Sequence, residues 1–275
     1  LESHLDEIAL GLGLDPLQFR SRNAIRAGDA DPLAVALGEG KEGVPRTVQS
    51  CSLEECMRRG AAAVGWERRR GGHWEELPPA AASGVPVVRR GIGMAIAMHG
   101  TSIPGDDMGA ATIKSNEDGT FNLLCGATDL GTGSDTALAQ MAAEVLGVPT
   151  EHILVYASDT DLTPFDVGAY ASSTTYVSGR AVQLAAEQVR SELLEVAGTM
   201  LGVPAVDLRA GFAVAASGAR VAIRDVALEA MYGHHKRQIM GQASVLSQDS
   251  PPPFAATFAE VEVDVETGAV QVLHL

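Results

Sequence analysis

The chain has 275 residues with a formal net charge of −15, a hydrophobic fraction of 46% and a charged fraction of 20%. This length and composition predict one large or two modest folded domains. The negative charge argues against a nucleic-acid or anionic-membrane partner, because phosphate groups are bound by clustered lysines and arginines. The sequence also lacks a run of about 18 apolar residues, so it predicts no membrane-spanning segment.

The cysteines indicate the redox environment of the protein. Cys51, Cys56 and Cys125 form no C-x-x-C motif, and their odd number fits no closed disulfide framework. They indicate a reducing, cytoplasmic setting and no iron–sulfur cluster within this chain.

The first residue already belongs to a helical pattern, and residues 270–275 resemble an unfinished strand. We therefore expect the chain to be an internal fragment of a longer subunit.

The N-terminal part is predicted to be helical. Asp15-Pro16 opens a short helix, and the pattern over Ser52–Val64 predicts another, with acidic residues in its first turn. Gly65–Arg89 is predicted to be an exposed connector. From residue 90 the pattern changes, and Gly91–His99 is predicted to be a strand of small apolar residues.

A β-hairpin is predicted over Gly109–Lys114 and Thr120–Leu124, with a turn at the intervening Asn, Glu, Asp and Gly. The loop before this hairpin has the sequence GTSIPGDDM. Its Asp106 and Asp107 could form a carboxylate pair for acid–base chemistry, but we expect a solvated acidic turn.

The most informative stretch is Gly126–Val148, GATDLGTGSDTALAQMAAEVLGV. Ser134, Asp135 and Thr136 are helix-capping residue types, and they lead into a run of helix formers. A glycine-rich turn before a helix N-terminus predicts an anion site, because free N–H groups and the positive dipole end converge there. The simpler alternative is an ordinary connection between a strand and a helix.

A second stretch has similar chemistry. The segment GAYASSTTYVSG, Gly168–Gly179, has four consecutive hydroxyl residues before a helical run predicted over Arg180–Leu201. Two glycine- and hydroxyl-rich helix starts favour a ligand longer than one phosphate. Two well-capped surface helices remain the alternative.

The other predicted elements follow from periodicity and turn residues. An alternation of acidic residues and valines around Glu260 and Glu262 predicts a half-buried strand whose acidic face is solvated. The rest are a strand over Glu151–Ser158, a short helix from Ala205–Leu208, a strand pair around Ser217-Gly218, a helix over Asp225–Tyr232 and a loop over Gly241–Pro253.

The two informative stretches, GATDLGTGSDTALAQMAAEVLG and SDTDLTPFDVGAYASSTTYVSGRAV, resemble the molybdopterin-binding large subunit of the molybdenum hydroxylases. This family includes xanthine dehydrogenases, aldehyde oxidases and 4-hydroxybenzoyl-CoA reductases. Leu1–Asn23 and Phe254–Leu273 resemble further segments of the same subunit, in the same order. The wording of the two central motifs is most similar to the 4-hydroxybenzoyl-CoA reductase large subunit.

The resemblance implies an α+β fold with mixed sheets and packed helices, part of a two-lobed molybdopterin-binding domain. The resemblance implies that residues 1–64 correspond to the helical end of the first cofactor-binding lobe and that residues 65–89 are a connector. Residues 90–275 are the second lobe, truncated before the catalytic glutamate. The family's glutamate lies in a motif of the type G-V-G-E-P, so the resemblance implies no catalytic residue in this fragment, which we expect to be inactive alone.

The resemblance also implies roles for particular residues. Gly131, Thr132 and Gly133 would face the pterin and its metal, although the family usually has Gln at the position of Thr132. Thr101 and Tyr170 would line the substrate channel, with the alignment loosest around Thr101. The pterin and its phosphate would be bound by small and hydroxyl residues of the second stretch: Ala171, Ser172, Ser173, Thr174 and Thr175. No side chain is expected to bind the metal, because the pterin dithiolene holds it.

The implied cofactor is molybdenum with molybdopterin, in the cytosine dinucleotide form. The implied partners are a small-molecule substrate, an iron–sulfur subunit and a flavin subunit carrying FAD, assembled as an oligomer of heterotrimers. The implied activity is that of an oxidoreductase, which hydroxylates or reductively dehydroxylates an aromatic, heterocyclic, aldehyde or aryl-CoA substrate. The alternatives are a non-catalytic module of the same fold without cofactor, and an unrelated α/β protein that binds a phosphate-bearing ligand.

Overall fold

The computed structural model describes residues 1–31, 46–72, 87–234 and 236–275. Their internal contacts divide them into two units. The first unit contains residues 1–31, 46–72, 87–99 and 251–275, and the second contains residues 100–234 and 236–250. The units therefore differ from the consecutive segments 1–64, 65–89 and 90–275 expected from the sequence, because the strands near residues 90 and 260 group with the N-terminal helices. Which unit corresponds to which family lobe stays a prediction.

Helices form the N-terminal part of the first unit, as predicted. The helix opened by Pro16 has Asp15 as its N-cap, and the Asp15 carboxylate accepts hydrogen bonds from the backbone N–H groups of Leu17 and Gln18. Ser52 is the N-cap position of the next predicted helix but forms no side-chain capping bond. The helices are α1 (Glu2–Gly11), α2 (Pro16–Asn23), α3 (Leu53–Ala63) and α4 (Trp66–Arg70).

A buried arginine ties the first helices together. The side chain of Arg20 is 1% exposed, and it contacts the carboxylates of Glu2 at 3.0 Å and Asp6 at 2.6 Å. Glu2 Oε2 also accepts the backbone N–H of Ile96. These bonds compensate the cost of burying the guanidinium and join α1, α2 and the strand that contains Ile96.

The predicted connector over Gly65–Arg89 is wrong in its first part, and residues 73–86 lie outside the described residues. Trp66, in α4, is buried at 3% exposure and packs edge-on against Phe258, with ring centroids 5.7 Å apart. Its indole N–H lies 3.1 Å from a carboxylate oxygen of Asp15. Tryptophan buries a large apolar area when its N–H finds an acceptor, which outweighs the polar neighbours on which the connector prediction rested.

The sheet of the first unit has the order β1-β9-β10. Strand β1 (Val88–Met98) pairs antiparallel with β9 (Phe254–Asp264), and β10 (Val270–His274) pairs with the other side of β9. The expected solvated acidic face is wrong at Glu260, which is 2% exposed on the same face as Phe258. Arg69 Nη1 lies 2.6 Å from Glu260 Oε2, so an ion pair compensates the burial.

The main sheet of the second unit has the order β4-β3-β2-β8. Strands β2 (Met108–Ser115) and β3 (Phe121–Cys125) form the predicted hairpin, and β4 (Ile153–Ala157) lies parallel to β3. Strand β8 (Met240–Leu246) pairs with β2 where the sequence predicted a loop. That prediction took Gly241 for a loop residue. The glycine instead permits close packing, because a Cβ there would lie 2.2 Å from the carbonyl oxygen of Ala185.

Two helices cover this sheet. Helix α5 (Ser134–Leu146) and helix α6 (Thr174–Leu201) bury alanines, valines and leucines against strands β2 and β3. The packing is close, because a Cβ on Gly109 of β2 would lie 2.9 Å from Ser178 Cα of α6. The largest fully buried apolar side chains of this core include Phe121, Ile113, Leu123, Leu138, Leu146, Val182 and Leu193.

A smaller sheet, ordered β5-β6-β7, completes the second unit. The helix predicted from Ala205 is wrong, because strand β5 (Ala205–Arg209) pairs antiparallel with β6 (Phe212–Ala215). Strand β7 (Arg220–Ala222) and helix α7 (Ile223–Tyr232) confirm the predicted strand pair and helix. The fold is thus α+β with mixed sheets and packed helices, as expected. Within the described ranges, no helix combines the length and apolarity needed to cross a membrane.

Candidate functional site

The second hydroxyl-rich stretch forms a left-handed turn and the first turn of α6. Ala171 and Ser172 have φ values of 50° and 55°, which costs each non-glycine residue about 1 kcal/mol. Helix α6 begins at Thr174 and not at Arg180 as predicted, so Thr174 and Thr175 belong to its first turn. The helix starts early because its first turns are buried against β2, where Gly109 leaves room for Ser178.

This turn has the backbone geometry of an anion-binding site. Successive left- and right-handed residues direct their N–H groups to one concave side, and the first turn of a long helix adds further unpaired N–H groups. Ser172 and Thr175 have exposed side chains there. Ser173 is different, because it is buried and its hydroxyl donates to the carbonyl of Tyr170. Its backbone N–H also donates to the Tyr170 carbonyl, at 3.1 Å, so both donors of Ser173 are used inside the turn and its contact with a ligand stays a prediction.

A cavity of about 1150 Å³ lies beside this turn within the second unit. Small-molecule sites typically have volumes of roughly 300–1,000 Å³, so this cavity is large enough for an organic ligand. Helices α5 and α6 and the end of β8 form its walls. The polar groups of its lining include Thr101, Ser172, Thr175, Arg180, Ser247 and Asp249.

The first glycine-rich turn is organised by an acidic side chain. Asp129 Oδ1 accepts hydrogen bonds from the backbone N–H groups of Gly131 at 2.8 Å and Gly133 at 3.1 Å. Asp129 Oδ2 accepts the N–H of Asp135 at 3.3 Å. These bonds, that of Gly133 foremost, lower the pKa of the Asp129 carboxyl. The N–H groups expected to bind an anion are therefore already occupied by a carboxylate.

The predicted capping by Ser134, Asp135 and Thr136 is wrong. Gly133 is the N-cap residue of α5, and Asp129 supplies the acceptor oxygens from outside the helix. In the described part of the chain, the buried Ser134 Oγ and Asp135 Oδ1 have no hydrogen-bond partner. Burial, followed by the charge of Asp129, raises the pKa of Asp135.

The three metal-facing residues predicted in this turn, Gly131, Thr132 and Gly133, are exposed. Among the described residues that line the 1150 Å³ cavity, none of these three occurs. Thr132 Oγ1 lies 3.5 Å from Asp129 Oδ1, at the limit of a hydrogen bond. Their predicted role toward the metal and pterin is not tested by this arrangement and stays a prediction.

The two predicted substrate-channel residues are close in the fold but differ in setting. Thr101 lines the cavity, and its neighbour Ser102 donates its backbone N–H to the carbonyl of Ala171 at 2.8 Å. Tyr170 is 46% exposed. Desolvation, and then the charge of Asp107, raises the pKa of its phenol. Whether either residue touches a substrate stays a prediction.

Asp107 contradicts the expectation of a solvated acidic turn, because it is completely buried. Its Oδ2 accepts the backbone N–H of Ile103 at 2.9 Å, and its own carbonyl accepts the N–H of Ser247 at 2.8 Å. The neighbouring Asp106 is exposed, as expected. The side chain of Asp107 turns inward because the following strand β2 begins one residue later, at Met108.

Sequence reasoning missed several residues of the cavity. Gln140 and Glu144 lie four residues apart on one face of α5, and Arg180 and Gln183 lie on the facing side of α6. Helical spacing alone would have grouped each pair, but nothing local indicated that the two faces meet. In the described parts of the chain, no group of three or more His, Cys, Asp or Glu side chains could hold a metal ion.

The arrangement fits a phosphate-bearing organic ligand at the second turn. Donors beside the cavity are the hydroxyl groups of Ser172 and Thr175, the first-turn N–H groups of α6 and the guanidinium of Arg180. The first turn fits an uncharged ligand edge better, because Asp129 occupies its N–H groups.

Comparison with known proteins identifies the family. The family model described as "Molybdopterin cofactor-binding domain" matches residues 60–275. The xanthine dehydrogenase molybdenum-binding subunit of Escherichia coli O157:H7 is 34% identical over 275 residues, covering 96% of this chain and 34% of that protein. The nicotine 6-hydroxylase large subunit of Paenarthrobacter nicotinovorans is 30% identical over 245 residues, covering 86% of this chain and 28% of that protein.

Solved structures agree in fold. The structure of quinoline 2-oxidoreductase from Pseudomonas putida 86 superposes with a TM-score of 0.77 at 23% identity, covering 98% of this chain and 35% of that chain. The chain thus spans about a third of the length of the relatives that it matches. These matches exclude the alternative of an unrelated phosphate-binding protein. The chain belongs to the molybdopterin cofactor-binding domain family of the molybdenum hydroxylases.

Proposed function

We propose that this chain is the cofactor-binding part of a molybdenum-dependent oxidoreductase subunit. The observation that carries the proposal is the second turn, where Ser172 and Thr175 combine with the first turn of α6 beside a 1150 Å³ cavity. The matching family model covers residues 60–275, which include this turn, and so supports a molybdopterin phosphate as the ligand that we propose for it. The bound cofactor supplies two-electron redox chemistry, and the protein supplies its binding and orientation.

We assign the residues to separate tasks. Ser172, Thr174 and Thr175 bind the phosphate through hydroxyl and backbone N–H groups, and Ala171 and Ser173 hold the turn. Thr132 and its flanking glycines face the metal side of the pterin, and Thr101 and Tyr170 border the path of the substrate. The volume of the cavity supports the cytosine dinucleotide form of the cofactor, because a nucleotide extension needs additional room.

The relatives support a proposal for the substrate class. The matched subunits are those of a xanthine dehydrogenase and a nicotine 6-hydroxylase, which supports hydroxylation of a heterocycle. The wording of the two central motifs supports an aryl-CoA substrate and the reductive direction of a 4-hydroxybenzoyl-CoA reductase as the other candidate. An aromatic ring or an aldehyde belongs to the same proposal. The proton-abstracting glutamate is proposed to lie in the longer protein, so that these 275 residues alone are inactive.

Partner subunits are part of the proposal. An iron–sulfur subunit, and a flavin subunit carrying FAD, would pass electrons to or from the molybdenum centre in an oligomer of heterotrimers. The free thiols of Cys51, Cys56 and Cys125 support a reducing, cytoplasmic setting for this assembly.

The test is metal analysis of the full natural subunit, produced with its iron–sulfur partner in a host that makes molybdenum cofactor. We expect about one molybdenum per subunit and release of pterin by acid. Thr175→Val, which removes one hydroxyl from the second turn, is expected to lower the molybdenum content. Thr199→Val makes the same change near the other end of α6 and is the matched control. Well-folded wild-type protein without molybdenum under these conditions contradicts the proposal.

A second candidate is a module of the same fold that binds no cofactor. It is favoured by Thr132, which replaces the usual Gln of the family and directs its hydroxyl toward Asp129. Thr132→Gln separates the two candidates, because a longer amide restores the reach of the usual residue. About one molybdenum per subunit in both wild type and variant favours the enzyme. Molybdenum that appears only in the variant favours the cofactor-free module.

A further inference from the structure

Two buried serines join separate segments of the chain beside the cavity. Ser102 is 2% exposed and Ser247 is 3% exposed, and their hydroxyl oxygens lie 2.6 Å apart. Both hydroxyls also contact the backbone carbonyl of Asp249, at 2.9 Å from Ser102 and 2.8 Å from Ser247. We call Ser102 and Ser247 the serine pair. Because both members are buried, water competes little for their hydrogen bonds.

The serine pair uses its own hydroxyl protons. Each hydroxyl has one proton to donate and can also accept. One serine can donate to the Asp249 carbonyl while it accepts the proton of the other, so that both protons are bonded. The pair therefore has no hydroxyl proton left for a ligand, although Ser247 lies in the lining of the cavity. Its role is to hold the surrounding chain.

Ser102 also contacts the second turn. Its backbone N–H donates to the carbonyl of Ala171 at 2.8 Å. Ser102 and Ala171 both have left-handed backbone conformations, with φ values of 63° and 50°, which residues with a Cβ rarely adopt. Such conformations persist only where the surrounding structure fixes them. The hydroxyl bonds of Ser102 supply this support on one side of the Ser102–Ala171 contact.

We propose that Ser102 is a positioning residue, whose buried hydroxyl anchors the second turn to the segment that follows β8. The connection runs from the Asp249 carbonyl through Ser102 to the Ala171 carbonyl, directly before Ser172. Ser172, Ser247 and Asp249 all line the cavity. One residue thus fixes two sides of the cavity relative to each other.

The functional meaning of this anchor rests on the proposed cofactor site. A turn that is held in place before its ligand arrives loses less conformational entropy on binding. Among the described residues that line the cavity, Ser102 does not occur. It therefore acts on a bound phosphate only through the turn that it holds.

Hydrogen–deuterium exchange tests the anchor in the full natural subunit, produced in a host that makes no molybdenum cofactor. The reporters are the amides of Tyr170 and Ser173, which are hydrogen-bonded inside the turn. We expect Ser102→Ala and Ser102→Gly to accelerate their exchange about fivefold, the factor for one ordinary hydrogen bond. Glycine relieves the left-handed strain and alanine keeps it, so acceleration in both assigns the effect to the lost hydroxyl. Acceleration in fewer than both variants overturns the proposal.

Ser115→Ala is the matched control. Ser115 is also completely buried, but its hydroxyl has no hydrogen-bond partner in the described part of the chain. The substitution removes the same oxygen without breaking a bond, so the two reporter amides should exchange as in wild type. An equal acceleration in Ser115→Ala would show that the loss of any buried serine hydroxyl loosens the turn, which contradicts a specific anchor.

A second readout separates positioning from general stability. In the full subunit produced with its iron–sulfur partner and with molybdenum cofactor, Ser102→Gly should contain less molybdenum per folded subunit than wild type. Val226→Ala removes buried volume in α7, outside the described lining of the cavity, and should lower the melting temperature but keep the molybdenum. Equal molybdenum contents in these two variants overturn the positioning role. Wild-type subunit without molybdenum contradicts the proposed function instead, and the exchange measurement still tests the anchor because it needs no cofactor.

Discussion

Asp129 Oδ1 lies 2.8 Å from the backbone nitrogen of Gly131, so a side chain of the chain itself occupies the mouth of the glycine-rich turn. The carboxylate takes the position that an external anion would take before helix α5. The N–H groups at the start of α5 are thus already bound to a carboxylate. Phosphate recognition is therefore expected at the start of α6. The two similar motifs therefore have different electrostatic roles.

We expect Asp129→Asn to lower the melting temperature at neutral pH, because an amide oxygen accepts the three N–H bonds less strongly than a carboxylate. The folded-state pKa of Asp129 is lowered from 3.8. Its contribution to stability is therefore complete above the unfolded-state pKa and is lost as pH falls through the folded-state value. The difference in melting temperature between wild type and variant should narrow below about pH 4. Asp161→Asn, in another turn, is the control, and a difference that is constant with pH contradicts the expectation.

Gly109→Ala should destabilise the second unit by about 2 kcal/mol, the typical cost of overpacking a close contact. The added Cβ would lie 2.7 Å from Ser178 Oγ and 2.9 Å from Ser178 Cα, so either α6 or β2 must move. Gly93→Ala is the matched control, because a Cβ on this strand glycine meets no atom within 4 Å. Urea denaturation followed by circular dichroism measures both, and equal midpoints for the two variants would show that the close packing is absent.

Arg20→Met should destabilise the first unit by about 3 kcal/mol, because Glu2 and Asp6 lose their common partner. The methionine fills much of the aliphatic volume, so the loss comes mainly from the unpaired carboxylates. Arg58→Met removes an exposed pair with Glu55 and should change the unfolding midpoint little. Chemical denaturation of both variants is the measurement. A small effect of Arg20→Met would mean that solvent already compensates the two carboxylates.

Cys125 should resist alkylation in the native protein. Burial, and then the charge of Asp135, raises the pKa of its thiol to about 11, so very little thiolate exists at pH 8. Cys51 and Cys56 are partly exposed and should react first. Iodoacetamide labelling followed by peptide mass spectrometry distinguishes the three, and denatured protein serves as the control in which all three react. Native labelling of Cys125 at the rate of the other two would contradict this expectation.

Local signals in the sequence predicted much of the fold. Asp15 before Pro16 marked a helix start, and the turn residues from Asn116 to Gly119 marked a hairpin, because both signals depend on neighbouring residues only. The helix predicted at Ala205 failed where the alternative was decided by pairing with β6. Where a segment can form a short strand or a short helix with similar ease, pairing with such a distant partner decides its secondary structure.

The candidate site was predictable in composition but not in arrangement. The motif wording located the second turn, and its residues do lie beside a cavity. Nothing local indicated that Asp107 is buried or that Asp129 occupies the first turn, since both depend on how loops close around them. The prediction that Glu260 is solvated was wrong for the same reason, because its partner Arg69 lies far away in the sequence.

The pairing of β1 with β9 has a consequence for the order of folding. The described part of the second unit, residues 100–234 and 236–250, lies between the two strands that pair along Val88–Met98 and Phe254–Asp264. A ribosome therefore releases this part of the second unit before the sheet of the first unit can form. The N-terminal helices and β1 must wait with an open strand edge until residue 264 emerges. The N-terminal helices and β1 are thus synthesised before the second unit, but their sheet is completed after it.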